Sequence, residues 1–145
     1  MRMPKLPTMN EVGKFSLAMA SPPDNIDLVH RLLDNIWVQV PTISMIDRIS
    51  FETALIELVA NVIRHADGGE GVTYTITIKI HEDTIEAEIV DTGIHARVEL
   101  HENSMPDDLS ENGRGIPLIK TLVDHISYDR ANNLNTWLIR RKFRS

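Results

Sequence analysis

The chain has 145 residues, 42% of them hydrophobic, which suits one compact domain with a real core and leaves little room for two. Its formal charge of −6 and pI near 5.4, with lysine and arginine scattered except for Arg140, Arg141, Lys142 and Arg144, disfavour direct binding to nucleic acid. There is no cysteine, which excludes disulfides, thiolate metal sites and cysteine nucleophiles, and no apolar run nears the roughly 20 residues that cross a bilayer.

Residues 1–10 hold two prolines and little periodicity, and read as a flexible leader before a single domain over 11–145. They lack the apolar stretch of a signal peptide, so the expected location is the cytoplasm, with no membrane contact. Val12 to Ala20 alternates Phe15, Leu17 and Met19 with small or polar neighbours and predicts a strand. Ser21-Pro22-Pro23-Asp24 breaks it and opens a helix from about Asn25 to Val38, with Ile26, Val29, Leu32, Leu33 and Ile36 at helical spacing. After Pro41-Thr42, Ile43 to His65 predicts one long helix, or two joined near Ser50.

Within Phe51 to Asp67, at about 100° per residue, Phe51, Leu55, Leu58, Val62 and Ala66 fall on one arc and Glu57, Asn61 and Arg64 on another, with His65 at the border. A carboxylate and a carboxamide four residues apart can offer both oxygens to one bound ion or ligand. The same pair would equally suit the solvated side of a surface helix. A turn with three glycines ends the helix by Gly71.

From Val72 the period becomes two: Val72, Tyr74, Ile76, Ile78 and Ile80 share one face. Glu82-Asp83 turns the chain, and Thr84 to Val90 returns with Ile85, Ala87 and Ile89 inward as an antiparallel hairpin. Gly93 to Gly113 is rich in acids and too long for an ordinary connection. Arg114 to Ile126 regains helical spacing, and Trp137 to Phe143 predicts a last strand.

Two glycine motifs flank the long loop. In Asp91-Thr92-Gly93, a buried carboxylate at a strand end could accept from an exocyclic amine while the glycine lets a ring approach; a plain strand-terminal turn fits as well. In Gly113-Arg114-Gly115, backbone N–H groups at a helix start could face an anion; a flexible hinge fits as well, and position 118 is leucine, so no G-x-G-x-x-G is completed.

In this order, E-x-x-x-N on a helix, D-x-G after a strand, a long loop and G-x-G opening a helix resemble the nucleotide-binding boxes of the GHKL ATPases, which include gyrase, Hsp90, histidine kinases and MutL. Within that superfamily, ELVANVIRHA at Glu57 to Ala66 and the short length look most like the RsbW-type anti-sigma-factor serine/threonine kinases. The resemblance spans about Val12 to Phe143 and implies the Bergerat fold, an α/β two-layer sandwich with a mixed, mostly antiparallel sheet and helices on one face.

It also implies roles, each chemically sensible. Asn61 would bind Mg²⁺ bridging the phosphates of ATP or ADP, and Glu57 would be the general base for an attacking hydroxyl. Asp91 would take the adenine amine and Gly93 would pass under the base. Gly113, Arg114, Gly115 and Ile116 would wrap the nucleotide, with residues 94–112 as the ATP lid. His65 matches a histidine of this branch, though capping the helix or filling the core edge would explain it equally. Asn135-Thr136 stands where the family usually has Gly-Thr. Thr136 could still donate to the base site, and asparagine tolerates positive φ better than most residues, while the missing glycine leaves room for a looser pocket.

The implied function is partner switching: a Mg-ATP-dependent anti-sigma factor that phosphorylates a STAS-domain anti-anti-sigma protein, commonly as a homodimer. Arg31, on the first helix, falls where a partner-contacting arginine occurs in the sporulation branch. The alternatives are a protein-binding module of the same fold whose nucleotide chemistry is slow or lost, and a switch kinase with no sigma-factor partner. A phosphoacceptor-histidine domain does not fit in this length, which argues against a two-component sensor kinase.

Overall fold

The computed structural model describes residues 11–21, 25–66, 71–93 and 115–143, with the backbone alone for residues 11, 65 and 66. Strand β1 (Glu11–Ser21) leads into helices α1 (Ile26–Gln39) and α2 (Met45–Ala66). The hairpin β2 (Val72–His81) and β3 (Thr84–Asp91) follows, then α3 (Gly115–Leu122) and a second hairpin, β4 (His125–Ala131) and β5 (Leu134–Lys142). The sheet order is β1-β2-β3-β5-β4. All four pairings are antiparallel, where the resemblance had allowed a mixed sheet.

Alternation decides which face carries the helices. Tyr74, Ile76, Ile78 and Ile80 of β2 and Ile85, Ala87 and Ile89 of β3 point into the core, with Trp137 and Ile139 beside them on β5. Against this surface α1 sets Val29, Leu33 and Ile36, and α2 sets Phe51, Leu55, Leu58 and Val62, all fully buried. Removing each large side chain from water stabilises the fold by roughly 1.5–3 kcal/mol, so the two long helices are fixed by their apolar stripes. The indole of Trp37 meets Phe51 edge-on with ring centroids 6.5 Å apart, locking α1 to α2.

α2 is one continuous helix of 22 residues, unbroken at Ser50. It starts where Ser44 Oγ accepts from the Asp47 backbone N–H (3.2 Å) and donates to the Asp47 carboxylate (2.8 Å), a reciprocal cap. Arg141 then ties three elements together: it donates to Asp47 Oδ1 (2.9 Å) at the start of α2 and to the Leu122 carbonyl (2.7 Å) at the end of α3.

The principal departure from the sequence reading lies in the C-terminal third. The helix expected over Arg114 to Ile126 ends at Leu122, and Ile126 belongs to β4, paired with Ile139. β4 went unpredicted because its alternation is blurred by half-buried residues at an edge. The signal that marks it is the two-residue turn Asn132-Asn133, with φ of 54° and 64°, the geometry that a tight hairpin requires at both central positions. Replacing Asn133 by alanine should cost about 1 kcal/mol in urea unfolding, since alanine pays the left-handed penalty in full, whereas Asn133→Gly should not destabilise. Equal loss in both variants would show that the side chain, not the backbone angle, matters there.

Candidate functional site

The site begins on the exposed margin of α2. Glu57 is half-buried and lines a cleft of about 400 Å³ between α1 and α2, together with His30, Ile49, Glu52, Thr53 and Ile56. The two carboxylates in this cleft differ in kind. Glu52 accepts from His30 Nδ1 at 2.7 Å and from Trp37 Nε1 at 3.1 Å, whereas no described residue pairs with Glu57. Glu52 is therefore a strut, and Glu57 is the one available to a ligand.

One helical turn on, Asn61 is 2% exposed and lies against the first residue of α3: a Cβ added at Gly115 would come within 3.4 Å of its amide. The helix carrying E-x-x-x-N thus abuts the start of the third helix, where a Cβ at position 115 would rest in ordinary contact with the Asn61 amide. The Asn61 carboxamide oxygen accepts from exposed Arg64 at 3.1 Å, a contact that a stronger cation would displace. Ile116 is half-buried against the core behind Gly115. Gly113, Arg114 and the lid assigned to residues 94–112 lie outside the described residues, as does the side chain of His65.

At the other end, Asp91 is completely buried. Its Oδ1 accepts from the Gly93 backbone N–H (2.8 Å) and from Asn135 Nδ2 (2.8 Å), and its Oδ2 from Trp137 Nε1 (2.9 Å). Asn135 is held in turn: its Oδ1 accepts from the Tyr128 hydroxyl (2.6 Å) and from Arg130 (2.9 Å), which also donates to the Gly93 carbonyl (2.9 Å). The ring of Tyr128 lies 4.5 Å from that of Trp137, centroid to centroid.

Thr136 pairs with Val90, while Asn135 pairs with Asp91, so alternation does not put Thr136 on the inward side of β5 with Asn135. Asn135 does not replace a left-handed glycine either, because among the described non-glycine residues positive φ belongs to Asn132 and Asn133 alone. It has a different task, as a polar bracket for Asp91. Tyr128, Arg130 and Trp137 were missed as members of this cluster, and the clue was positional: Asn135 and Trp137 share the inward parity of the last strand.

Tested against a nucleotide, the two ends of the site behave differently. The phosphate end fits: a buried neutral oxygen at Asn61 stands beside a side-chain-free helix start with orphan N–H groups. At the base end three donors of the protein itself engage Asp91, two on Oδ1 and one on Oδ2, which leaves Oδ2 one acceptor position for an amine.

A five-stranded antiparallel sheet with its helices on one side, and a glutamate and asparagine on the central helix beside a glycine-started third helix, is the α/β sandwich of the GHKL ATPases. The chain belongs to the histidine kinase-like ATPase domain family, whose model matches residues 19–142. Its fold is similar to the catalytic domain of the histidine kinase ThkA in a nucleotide-free form, with a TM-score of 0.53 at 14% identity over 88% of this chain and 97% of that one. The Acinetobacter baumannii histidine kinase AdeS aligns at 22% identity with a TM-score of 0.47, over 68% of this chain and 48% of its own, so the chain spans about half the length of AdeS. No curated protein matches the chain. No helix among the described residues is long and apolar enough to cross a membrane.

Proposed function

We propose that this domain is a Mg-ATP-dependent serine/threonine kinase that phosphorylates a STAS-domain antagonist and, as an anti-sigma factor, holds a sigma factor when the antagonist is phosphorylated. The observation that carries the reading is the apposition of Asn61 to Gly115, with the Glu57 carboxylate, which no described residue pairs with, one turn away and facing an open cleft. Bound Mg-ATP would supply the transferable phosphoryl group. Asn61 would contribute a neutral oxygen to the cation, and the backbone N–H groups at the start of α3 would face the phosphates. Glu57 would take the proton of the incoming serine or threonine hydroxyl, whose oxygen would approach along the cleft beside Thr53 and Ile56.

On the partner side, Arg31 is exposed on the outer face of α1, opposite the buried Val29, Leu33 and Ile36. In this reading it contacts the sigma factor or the antagonist, and the protein works as a cytoplasmic homodimer. Arg31→Ala should weaken partner binding about tenfold while leaving ADP affinity unchanged. Unaltered affinity for both proteins would remove Arg31 from the interface.

The protein's own donors on Asp91 favour one other reading, a protein-binding module of the same fold with slow or lost nucleotide chemistry. Calorimetric titration with ADP and ATP, with and without Mg²⁺, followed by phosphate transfer to a candidate STAS protein, separates the two. Mg²⁺-dependent binding with transfer supports the kinase; a sound fold that binds a partner but no nucleotide supports the module.

A further inference from the structure

We propose that the solvent side of the first half of α2 docks the phosphoacceptor segment in extended form, with an aliphatic side chain two residues from its serine or threonine seated between Ile49 and Ile56. The inference rests on reading Glu57 as the base and adds what selects the substrate. At about 100° per residue, Met45, Ile46, Ile49, Thr53, Ile56 and Glu57 fall within about 120° of one another, opposite the buried Phe51, Leu55, Leu58 and Val62. A helix packed on one side by a core normally turns polar residues outward. Here Met45, Ile46 and Ile49 are 67%, 72% and 57% exposed, so α2 is apolar on both sides at its start. The bare side runs into the cleft that holds Glu57, whereas Val12, Leu118 and Leu134, exposed apolar residues elsewhere, stand on three separate elements.

Charge, size and spacing define the occupant. The described residues that line the cleft include the carboxylates of Glu52 and Glu57 and no lysine or arginine, so a segment with an acid in the anchor position is repelled. Glu52 is committed to His30 and Trp37, which leaves Ile49 and Ile56 as the apolar contacts and Glu57 as the polar one. A volume of about 400 Å³ suits one aliphatic side chain with the backbone around it better than a helix, which is about 10–12 Å across. The midpoint between Ile49 and Ile56 lies about 4.5 residues before Glu57, or about 7 Å along the axis of α2. Two residues of extended chain span about 6.6 Å and bring both side chains to the same side. The hydroxyl that meets Glu57 and the anchor that meets the isoleucines therefore stand two apart.

The test uses the full chain with ¹³C-labelled isoleucine methyl groups, titrated with the acetylated pentapeptide Leu-Ala-Ser-Ala-Leu and with the same peptide carrying aspartate for both leucines. The first should move the Ile49 and Ile56 methyl signals and the second should not. In parallel, Ile46→Ser combined with Ile49→Ser should raise KM for transfer to a candidate STAS protein about tenfold, with ADP affinity unchanged, because docking contacts are lost and none at the phosphates. Both side chains are exposed, so the fold survives their loss. Val12→Ser combined with Leu134→Ser removes exposed apolar surface elsewhere and should leave KM level. Unmoved methyl signals with the leucine peptide would overturn the proposal, as would a KM that stays level in the isoleucine variant or rises equally in the control. Signals that follow protein concentration would give this side of α2 to a second copy, and signals that move on removal of residues 1–10 would give it to the chain's own N-terminal segment; either result overturns the proposal. The kinase reading fails separately: peptide-induced shifts without transfer to any STAS protein keep the cleft as a site for such a segment and remove the kinase, and transfer with a level KM and unmoved methyl signals does the reverse.

Discussion

Asp91→Ala should cost the protein roughly 2 to 6 kcal/mol of stability, whatever it does to nucleotide. The substitution strips the acceptor from three N–H groups at once, those of Gly93, Asn135 and Trp137, in a place where Asp91 itself has no exposed surface. Asn135 Nδ2 keeps the Gly93 carbonyl at 3.3 Å, so the Gly93 and Trp137 N–H groups are the two left without a partner, each at about 1 to 3 kcal/mol, against a total of roughly 5 to 15 kcal/mol for a domain. Asn135 would also lose the contact that orients it, which loosens the hold of Tyr128 and Arg130. Urea unfolding of the two proteins measures the difference directly. A carboxylate kept only for a ligand would behave otherwise: the alanine variant would unfold at the same midpoint and lose nothing but ADP affinity, and that result would dismiss the bracket.

Glu57→Gln should lower phosphate transfer about 10²- to 10⁴-fold, the usual contribution of a positioned general base, while ADP affinity stays level. The glutamine keeps the size and loses the ability to take a proton. Stability should move by no more than about 0.5 kcal/mol, because no described group depends on the Glu57 carboxylate. Glu52 is the built-in control. It lies in the same cleft, yet its oxygens are committed to His30 and Trp37, so Glu52→Gln should disturb the packing of α1 on α2 more than the rate of transfer. Transfer that survives Glu57→Gln and falls with Glu52→Gln would exchange the two roles. Single-turnover assays with saturating ATP keep chemistry apart from binding.

The legible parts of this fold are those where one face is dry and the other wet. β2 alternates Ile76, Ile78 and Ile80 with threonines, and α2 repeats Phe51, Leu55, Leu58 and Val62, so both elements are written in their periods. β4 is not, because an edge strand at the margin of the core carries residues that are neither buried nor exposed, and its turn uses two asparagines where glycine is the stronger sign. Among site residues, Glu57 and Asn61 share one side of α2 because helix geometry depends on local sequence, whereas Asn61 meets Gly115 only through the packing of α2 on α3. What surrounds Asp91 could not be read in that way. Asn135 and Trp137 stand 44 and 46 residues away and reach it only through the register of β5 on β3. A shift of one residue in that register would have brought Thr136 inward instead.

The place of β5 in the sheet also bears on how the protein is made. It is the last described strand to leave the ribosome, yet it lies inside the sheet, between β3 and β4. Roughly forty residues of synthesis separate the end of β3 at Asp91 from Leu134, or about 2 to 8 s at about 5–20 residues per second. Throughout that interval β3 presents a bare hydrogen-bonding edge flanked by Ile85, Ala87 and Ile89, the kind of surface that recruits other strands. The nascent chain is thus most exposed to mispairing and most dependent on chaperones just before the strand that completes the base end of the site arrives.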